Sequence, residues 1–293
     1  MEIQIKVWFY SKQVNFGDLL TVFILNHYAK ITERATKGKG ADSSPRLCFV
    51  KAESKESADL VGIGSVLDNM PNTFSGHVWT SGSLRPTGSF TPSEKVLIWG
   101  LRGKQTAEIY TKNPTIHGDG ALLLGMMYKK PKHQRYRLGI VPHYVDEHTV
   151  RSMRRIRNLP GVIIISPKQT PHKFMQKLLQ CKCIFSSSLH GLISADAVGI
   201  PNRQFRVCTS RNIVGGQWKY SDYYSALGIM QPRRVIPLSD RTPVEAWIRL
   251  TNRFYRRENL HAVQNGLDEM TKRLINQLRE EILSLTEREK IKK

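Results

Sequence analysis

Three consecutive serines followed by Leu189, His190 and Gly191 form the clearest chemical signal in this sequence of 293 residues. The serines, Ser186 to Ser188, follow a short apolar stretch that predicts a strand, and His190 falls in the first turn of the helix predicted next. Helix-terminal amides, hydroxyls and an imidazole in this order would converge on one anion or on one proton-transfer site. A capped turn with a core histidine is the alternative, and the pattern alone leaves both open.

Two further loops follow predicted strands and carry groups that suit an anion. In the first, Asn15, Gly17 and Asp18 form a turn in which glycine allows close backbone approach and the following helix favours negative charge. A plain turn with a capping aspartate explains this loop equally well. In the second, Arg102 lies between two glycines, where it could reach into a cleft and bind phosphate or carboxylate, or could be a surface arginine in a turn.

Other motifs exclude several common cofactor sites. The Gly62-Ile63-Gly64-Ser65 loop does not complete the dinucleotide fingerprint, because Leu67 stands where the third glycine belongs, and there is no phosphate-binding loop of the NTPase type. Cys181 and Cys183 lack the spacing of a zinc pair, so we expect reduced, partly buried thiols at these positions and at Cys48 and Cys208. The sequence therefore predicts no metal and no cofactor.

A second histidine belongs to the same rim as His190. His143 follows the first predicted strand of the second half, so both histidines should lie at the carboxyl edge of one sheet as candidate general acids or bases. A helix predicted over 147–158 would then carry Arg151, Arg154 and Arg155 on one face, for a diphosphate, a lipid surface or solvent alone. Asp119, in a glycine-rich turn before an apolar helix, is interpreted as a cap.

The order of elements predicts an α/β fold with parallel sheets. Strands alternate with helices in both halves, and a cationic, apolar-poor stretch over 129–135 is typical of a linker. We therefore expect an N-terminal domain over 1–130 and a second domain over 136–240. Residues 241–293 show apolar residues at three- and four-residue spacing, which predicts amphipathic helices that pack back on the domains or pair as a coiled coil.

Charge and hydropathy limit the partners. The chain carries 45 Lys and Arg against 24 Asp and Glu, a formal net charge of +21, which favours polyanions, phosphorylated metabolites or anionic membrane surfaces. Charges interrupt the apolar residues near Met1, and no apolar run approaches the length of a membrane span. The expected location is cytoplasmic. The positive charge is also compatible with peripheral binding to the inner face of an anionic membrane.

Taken together, these segments resemble the polysaccharide pyruvyl transferase family. The matching segments occur in the family's order: Asn15-Phe16-Gly17-Asp18, Gly62-Ile63-Gly64-Ser65, Trp99-Gly100-Leu101-Arg102-Gly103, Gly118-Asp119-Gly120-Ala121-Leu122-Leu123, Ile140-Val141-Pro142-His143-Tyr144-Val145-Asp146, Ser186 to Gly191 continuing to Pro201, and Lys219-Tyr220-Ser221-Asp222-Tyr223-Tyr224. Two departures are the serine at Ser188, where some members have arginine, and the glycine at Gly120, where proline is frequent.

The resemblance implies a GT-B-like pair of Rossmann-like domains with the active site between them. It implies transfer of a pyruvyl group from phosphoenolpyruvate to two hydroxyls of a sugar, giving a ketal, with an acceptor that is either free or linked to a lipid diphosphate. The resemblance implies that Arg102 clamps the carboxylate or phosphate of the donor, and that Leu189 (through its backbone) and His190 bind the donor, with His190 as a possible acid. With the strand-end loops added, the candidate catalytic residues are His190, His143 and Asp18. The candidate substrate-binding residues are Asn15, Gly17, Arg102, Ser187, Ser188, Leu189 and Lys219.

Two other functions remain open at the level of sequence. A GT-B glycosyltransferase that uses a nucleotide sugar would share the architecture. A basic nucleic-acid-binding protein would share the charge, but the sequence contains no recognised nucleic-acid module, and no specific nucleic acid is expected. Selective binding of phosphoenolpyruvate, of a nucleotide diphosphate or of any duplex separates the three.

Overall fold

The computed structural model describes residues 2–10, 14–37, 45–110, 116–207, 213–229 and 234–291, which form two parallel sheets with helices around them. The first sheet contains β1 (Glu2–Trp8), β2 (Arg46–Lys51), β3 (Leu60–Val61), β4 (His77–Ser81), β5 (Leu97–Leu101) and β6 (Ile116–His117). The second contains β7 (Leu138–Val141), β8 (Val162–Ile164), β9 (Ile184–Ser186), β10 (Asn202–Val207) and β11 (Ile236–Leu238). The helices are α1 (Phe16–Lys37), α2 (Lys104–Tyr110), α3 (Leu124–Met127), α4 (Glu147–Ser152), α5 (Arg154–Arg157), α6 (Pro171–Leu178), α7 (Leu189–Ala197), α8 (Trp218–Ala226), α9 (Val244–Phe254) and α10 (Leu260–Ile291), with 3₁₀ turns at Leu67–Asn69 and Gly120–Leu123.

Both sheets are doubly wound in the same way. The strand order is β2-β1-β3-β4-β5-β6 in the first sheet and β11-β10-β9-β7-β8 in the second, and every described pairing is parallel. The order reverses between β1 and β3 and again between β7 and β9, and such a reversal opens a crevice at the carboxyl ends of the strands. The predicted α/β class with two Rossmann-like units is confirmed.

The two halves share one core. The largest cluster of buried apolar side chains draws on α1, α6 and α10, with Leu20, Phe174 and Leu267 all fully buried. The aromatic rings of Phe16 and Phe174 stack with centroids 3.5 Å apart, and the Phe16 amide donates to the carbonyl of Pro167. The start of α1 is therefore attached to the second half of the chain.

The long C-terminal helix packs back on the molecule, which is one of the two arrangements that its apolar spacing predicts. Its buried face includes Met270 and Leu274, and the Trp79 indole of β4 donates to the Thr271 hydroxyl at 3.1 Å. The side-chain amide of Gln264 donates to two carbonyls, that of Leu122 at 3.0 Å and that of Ala197 at 2.9 Å. One amide group thus joins the first half, the second half and α10.

The single helix predicted over 147–158 is wrong. Met153 has an extended ψ of 95°, which divides the segment into the short helices α4 and α5. The predicted common face of Arg151, Arg154 and Arg155 does not form, since Arg151 lies before the break and pairs with Glu147 at 2.9 Å, whereas the other two follow it. Backbone amides at the start of α5 bond to the Asp240 carboxylate, which favours the break.

Other expectations have mixed outcomes. Cys181 and Cys183 are free and buried, Cys48 is free and half-buried, and Cys208 lies outside the described residues, so the reduced state of the thiols stays a prediction. Across the described ranges, no group of three or more potential ligands gathers to hold a metal ion. None of the described helices combines the length and apolar composition of a membrane span. The domain boundaries at 130, 136 and 240 stay predictions.

Candidate active site

The first component of the site is the turn that joins β1 to α1. The Asn15 side-chain oxygen accepts from the Gly17 amide at 3.1 Å, and its backbone carbonyl accepts from the amides of Asp18 and Leu19. Asparagine is favoured at this position because its side chain satisfies amides that the first helical turn leaves open. The turn lies at the reversal point of the first sheet and presents Gly17 and Asp18 toward the second half of the chain.

His190 packs directly against Gly17. A β-carbon at Gly17 would lie 2.2 Å from His190 Nδ1, so only glycine allows the imidazole to occupy this place. On the other side, His190 Nε2 lies 3.8 Å from Asp119 Oδ2, and none of the described residues forms a hydrogen bond with either atom. Two strand ends of the first sheet and one of the second therefore converge on one imidazole.

The protonation of this group is set by burial. Burial, followed by the charges of Arg102, Lys219 and His143, lowers the pKa of His190 to about 3, so the imidazole is neutral at neutral pH. Burial raises the pKa of Asp119 to about 6, against the bond from the Ala121 amide and the charge of Arg102. The cap predicted for Asp119 is confirmed, because its Oδ1 accepts from Ala121 at 2.9 Å, but the second oxygen faces the histidine.

Lys219 and Asp18 form a second titrating couple. Lys219, on α8, is 8% exposed, and burial together with the charge of Arg102 lowers its pKa to about 8, against the effects of Asp18 and Asp146. Burial raises the pKa of Asp18 to about 7, against the hydrogen bond from Asn15 and the charge of Lys219. Both groups therefore change charge close to neutral pH, as acid–base catalysts must.

In the serine motif, Ser186 to Ser188, the Ser187 hydroxyl bonds to other protein groups and holds two loops together. The Ser187 hydroxyl donates to Asp146 Oδ2 at 2.6 Å and accepts from the His143 amide at 2.9 Å, which fixes the loop after β7 beside that after β9. Ser188 occupies the position before α7, and its hydroxyl makes no capping bond to that helix. The side chain of Leu189 is 6% exposed, while its backbone belongs to the first turn of α7.

His143 resembles His190 in its electrostatics. Burial, followed by the charge of Lys219, lowers the pKa of His143 to about 3, so this imidazole is also neutral in the unliganded site. Its ring lies 4.4 Å from that of Tyr144. His143 follows β7 and His190 follows the neighbouring strand β9, and the His143 amide donates to the Ser187 hydroxyl, three residues before His190. Their joint role at one rim stays a prediction.

Arg102 is enclosed rather than open to a cleft. Its side chain is fully buried, with Nε 2.8 Å from Asp222 Oδ2, Nη2 2.6 Å from the Ser83 carbonyl and Nη1 on the Ser65 hydroxyl. The guanidinium contributes charge to the site, as its effects on His190 and Lys219 indicate. Direct contact between Arg102 and a substrate stays a prediction.

Sequence reasoning missed Asp222, the partner of Arg102. Its carboxylate also accepts from the amide and the hydroxyl of Thr106, at 2.8 and 2.7 Å. Lys219 and Asp222 are three residues apart on α8 and therefore lie on one face, which was the available signal. The pairing with Arg102 spans 120 residues, and no local pattern indicates it.

Two doubly wound sheets define a two-domain α/β protein. Two neutral histidines, a buried lysine and two carboxyls with raised pKa values lie close to the carboxyl ends of its strands. Residues 98–203 match the family model described as polysaccharide pyruvyl transferase, which confirms the resemblance over that segment. The match includes Arg102, His143 and His190, whereas Asp18 and Lys219 lie outside it. This similarity supports a transferase.

Two curated proteins are similar to the chain over longer stretches. The uncharacterized protein L143 of Acanthamoeba polyphaga mimivirus is 26% identical over 238 residues, which cover 77% of this chain and 75% of the relative. The succinoglycan biosynthesis protein ExoV of Rhizobium meliloti (strain 1021) is 26% identical over 188 residues, covering 62% of this chain and 58% of the relative. The chain therefore spans less than two thirds of the latter protein.

The raised pKa of Asp18 predicts a pH-dependent gain in stability for Asp18→Asn. The folded state binds the proton of Asp18 more tightly than the unfolded state does, whose pKa is 3.8. This binding contributes stability that is fully present below pH 3.8 and is lost as the pH rises through about 7. Asparagine removes this loss, so the variant should exceed the wild type in free energy of unfolding by on the order of 4 kcal/mol at pH 8 and by much less at pH 5. Urea unfolding at both pH values measures the difference.

The control is Glu108→Gln, at an exposed position on α2, which should leave the stability nearly unchanged at both pH values. An Asp18→Asn variant whose stability difference from the wild type is the same at pH 5 and pH 8 would contradict the electrostatic assignment.

Proposed function

We propose that this protein is a ketal pyruvyltransferase that moves the pyruvyl group of phosphoenolpyruvate to two hydroxyls of a sugar in a cell-surface or exopolysaccharide precursor. The observation that carries the proposal is the neutral imidazole of His190, held between Gly17 and Asp119 beside the buried Lys219. The family match over residues 98–203 and the similarity to a succinoglycan biosynthesis protein support it.

The donor carries a carboxylate and a phosphate and therefore needs cationic partners. Lys219 supplies a buried ammonium, and no described carboxylate lies within ion-pairing distance of it, whereas the charge of Arg102 is matched by Asp222. Amides in the first turn of α7, including that of Leu189, add partial positive charge. We therefore assign the direct ionic contact to Lys219, with Arg102 as the second source of positive potential.

The reaction requires one carbon to gain a proton and two hydroxyls to lose theirs. A protonated acid adds a proton to the methylene carbon of the donor, which leaves an oxocarbenium-like centre at the neighbouring carbon. One sugar hydroxyl attacks that centre and gives its proton to a base. The bond to the phosphate oxygen then breaks, and the second hydroxyl attacks the same carbon and loses its proton, so the products are the cyclic ketal and inorganic phosphate.

The pKa values of Asp18 and His190 suit the roles of acid and base in this reaction. Asp18, with a pKa near 7, is partly protonated at neutral pH and can serve as the acid. His190 is neutral in the unliganded site and can accept the proton of the attacking hydroxyl. A bound anionic donor would raise the pKa of His190, which helps the imidazole to hold that proton until phosphate leaves.

A thermal-shift titration tests the donor. Phosphoenolpyruvate should raise the melting temperature of the wild type saturably by several degrees, because a ligand that binds only the folded state stabilises it by about 2.7 kcal/mol at one hundred times its Kd. UDP, GDP and inorganic phosphate should give much smaller shifts. The shift should be lost in His190→Ala and in Lys219→Met.

The control variant is Lys173→Met, which removes an exposed lysine from α6 and should keep the full shift. A shift with UDP or GDP and none with phosphoenolpyruvate would instead favour a glycosyltransferase that uses a nucleotide sugar.

We further propose a cytoplasmic location and an acceptor linked to a lipid diphosphate, with peripheral binding to anionic membranes. The support is the net charge of +21 and the exposed arginines of α5, Arg154 and Arg155. Wild-type protein should co-sediment with vesicles containing anionic lipid, and the double reversal Arg154→Glu and Arg155→Glu should weaken binding roughly tenfold. Equal binding by wild type and variant would remove α5 from the interface.

A further inference from the structure

A separate cavity of about 540 Å³ opens beside the reacting centre, between the two halves of the chain. Its walls come from Arg85, in the loop after β4, from Gln204 and Arg206 on β10, and from the glycine loop that precedes α8. Gly215 lies against Leu84 so closely that a β-carbon would be 2.8 Å from the leucine side chain, and its φ of +84° also requires glycine. The loop is therefore held against the first half of the chain.

Gln204 supplies an acceptor that lacks a donor. Gln204 is only 6% exposed, yet no described residue donates a hydrogen bond to its side-chain oxygen. An unpaired buried carbonyl oxygen is costly, and a ligand hydroxyl or N–H group in the cavity would satisfy it. This observation points to a ligand that carries hydroxyl or N–H donors.

The charges on the wall point to an anion in the same ligand. Arg85 and Arg206 are both exposed, and no carboxylate is among the described residues that line the cavity. Guanidinium groups pair with phosphate through paired N–H donors. Hydroxyls at Gln204 together with phosphate at the arginines are the features of a sugar phosphate.

The cavity adjoins the candidate active site through direct contacts. Gln204 is paired in register with Ser186 of the neighbouring strand. Tyr220 lines the cavity, and its hydroxyl donates to the Ser187 carbonyl at 2.7 Å. Tyr220 follows Lys219 directly in the chain. A sugar bound here would lie beside the groups to which we assign the donor.

We propose that this cavity binds the acceptor as a phosphorylated saccharide, with a sugar hydroxyl on Gln204 and the phosphate or diphosphate on Arg85 and Arg206. The inference rests on the proposed function and adds to it the place where the acceptor binds. A nucleotide sugar and a lipid-diphosphate-linked sugar share this chemistry. The volume is in the range of ordinary small-molecule sites.

Isothermal titration with defined probes tests the site. The probes are glucose 1-phosphate, galactose 1-phosphate, UDP-glucose and UDP-galactose, compared with the free sugars and with inorganic phosphate. At least one phosphorylated sugar should bind the wild type at least tenfold more tightly than inorganic phosphate does. Binding should weaken roughly tenfold in Arg85→Ala and in Arg206→Ala, which each remove one charge-assisted contact.

Gln204→Leu separates recognition of the sugar from that of the phosphate. The substitution should weaken binding of the sugar phosphate roughly tenfold and leave the affinity for inorganic phosphate unchanged. The exposed Arg241, outside the cavity lining, gives the matched control Arg241→Ala, which should bind as the wild type does. Circular dichroism confirms that each variant is folded.

His190→Ala makes the outcomes for the two sites distinguishable. If this variant loses phosphoenolpyruvate but keeps the sugar phosphate, the cavity is a separate acceptor site. If the wild type binds the sugar phosphate and not phosphoenolpyruvate, the proposed function fails and the acceptor assignment fails with it, and the cavity stands only as a site for a sugar phosphate. If no probe binds the wild type, or if inorganic phosphate binds as tightly as every sugar phosphate, the proposed acceptor site is overturned. A sugar phosphate that binds Gln204→Leu and Arg85→Ala with unchanged affinity would overturn it as well.

Discussion

Gly17→Ala is expected to lower the rate of the proposed pyruvyl transfer by about 10²- to 10³-fold, because the added methyl group would lie 2.2 Å from His190 Nδ1. Either the imidazole or the start of α1 must then move by about an ångström, and both belong to the candidate active site. Release of phosphate from phosphoenolpyruvate in the presence of a sugar acceptor measures the rate. The thermal shift with phosphoenolpyruvate measures donor binding in the same variant.

Gly266→Ala, in α10, is the matched control. A β-carbon at Gly266 would meet Ile116 at 3.9 Å, an ordinary contact, so the same chemical change should leave the rate unaltered and add up to about 1 kcal/mol of stability. Should Gly17→Ala retain more than a third of the wild-type rate, the imidazole would not need its present position.

Asp222→Ala is expected to destabilise the protein by about 3–5 kcal/mol. The substitution leaves the fully buried Arg102 guanidinium without its carboxylate and removes the acceptor for the amide and hydroxyl of Thr106. Urea denaturation followed by circular dichroism gives the free energy of unfolding. The pair of the exposed Arg46 and the half-buried Glu33 serves for comparison, and Arg46→Ala should cost less than about 1 kcal/mol.

The double variant Asp222→Ala with Arg102→Leu separates an unpaired charge from lost packing. Its destabilisation should be clearly smaller than the sum of the two single effects, because no buried charge remains without a partner. Additive costs within about 0.5 kcal/mol would show that the pair contributes no coupling and would contradict this account.

Local patterns in the sequence predicted most of the fold. The alternation of apolar strands with helices is a property of neighbouring residues. The Thr170-Pro171 pair, for example, is typical of a helix start, and α6 begins at Pro171 after the extended Thr170. Helix ends were less accurate. The loop pattern offered Asp18 as the cap of the first helix, but Asn15 provides the cap, and the helix extends from Phe16 to Lys37. The break at Met153 depends on Asp240, a distant partner that periodicity does not reveal.

The site was predictable in its composition but not in its pairings. The strand-end position of His190 and Asn15 follows from the order of elements, since parallel strands expose their carboxyl ends at one edge. The contact of Gly17 with His190 and the enclosure of Arg102 by Asp222 depend on how two separately wound sheets meet. No residue spacing encodes that meeting, so the sequence could name the participants but not distinguish an open arginine from a paired one.

The shared amide of Gln264 has a consequence for how ligands exchange. Because one side chain of α10 bonds to Leu122 on one side and to Ala197 on the other, the helix acts as a strut that fixes the inclination between the two sheets. Opening the cleft like a book would break at least one of these bonds and also the hydrogen bond from Phe16 to Pro167. We therefore expect domain hinging to be opposed in the unliganded protein, so that substrates enter mainly through openings that already exist.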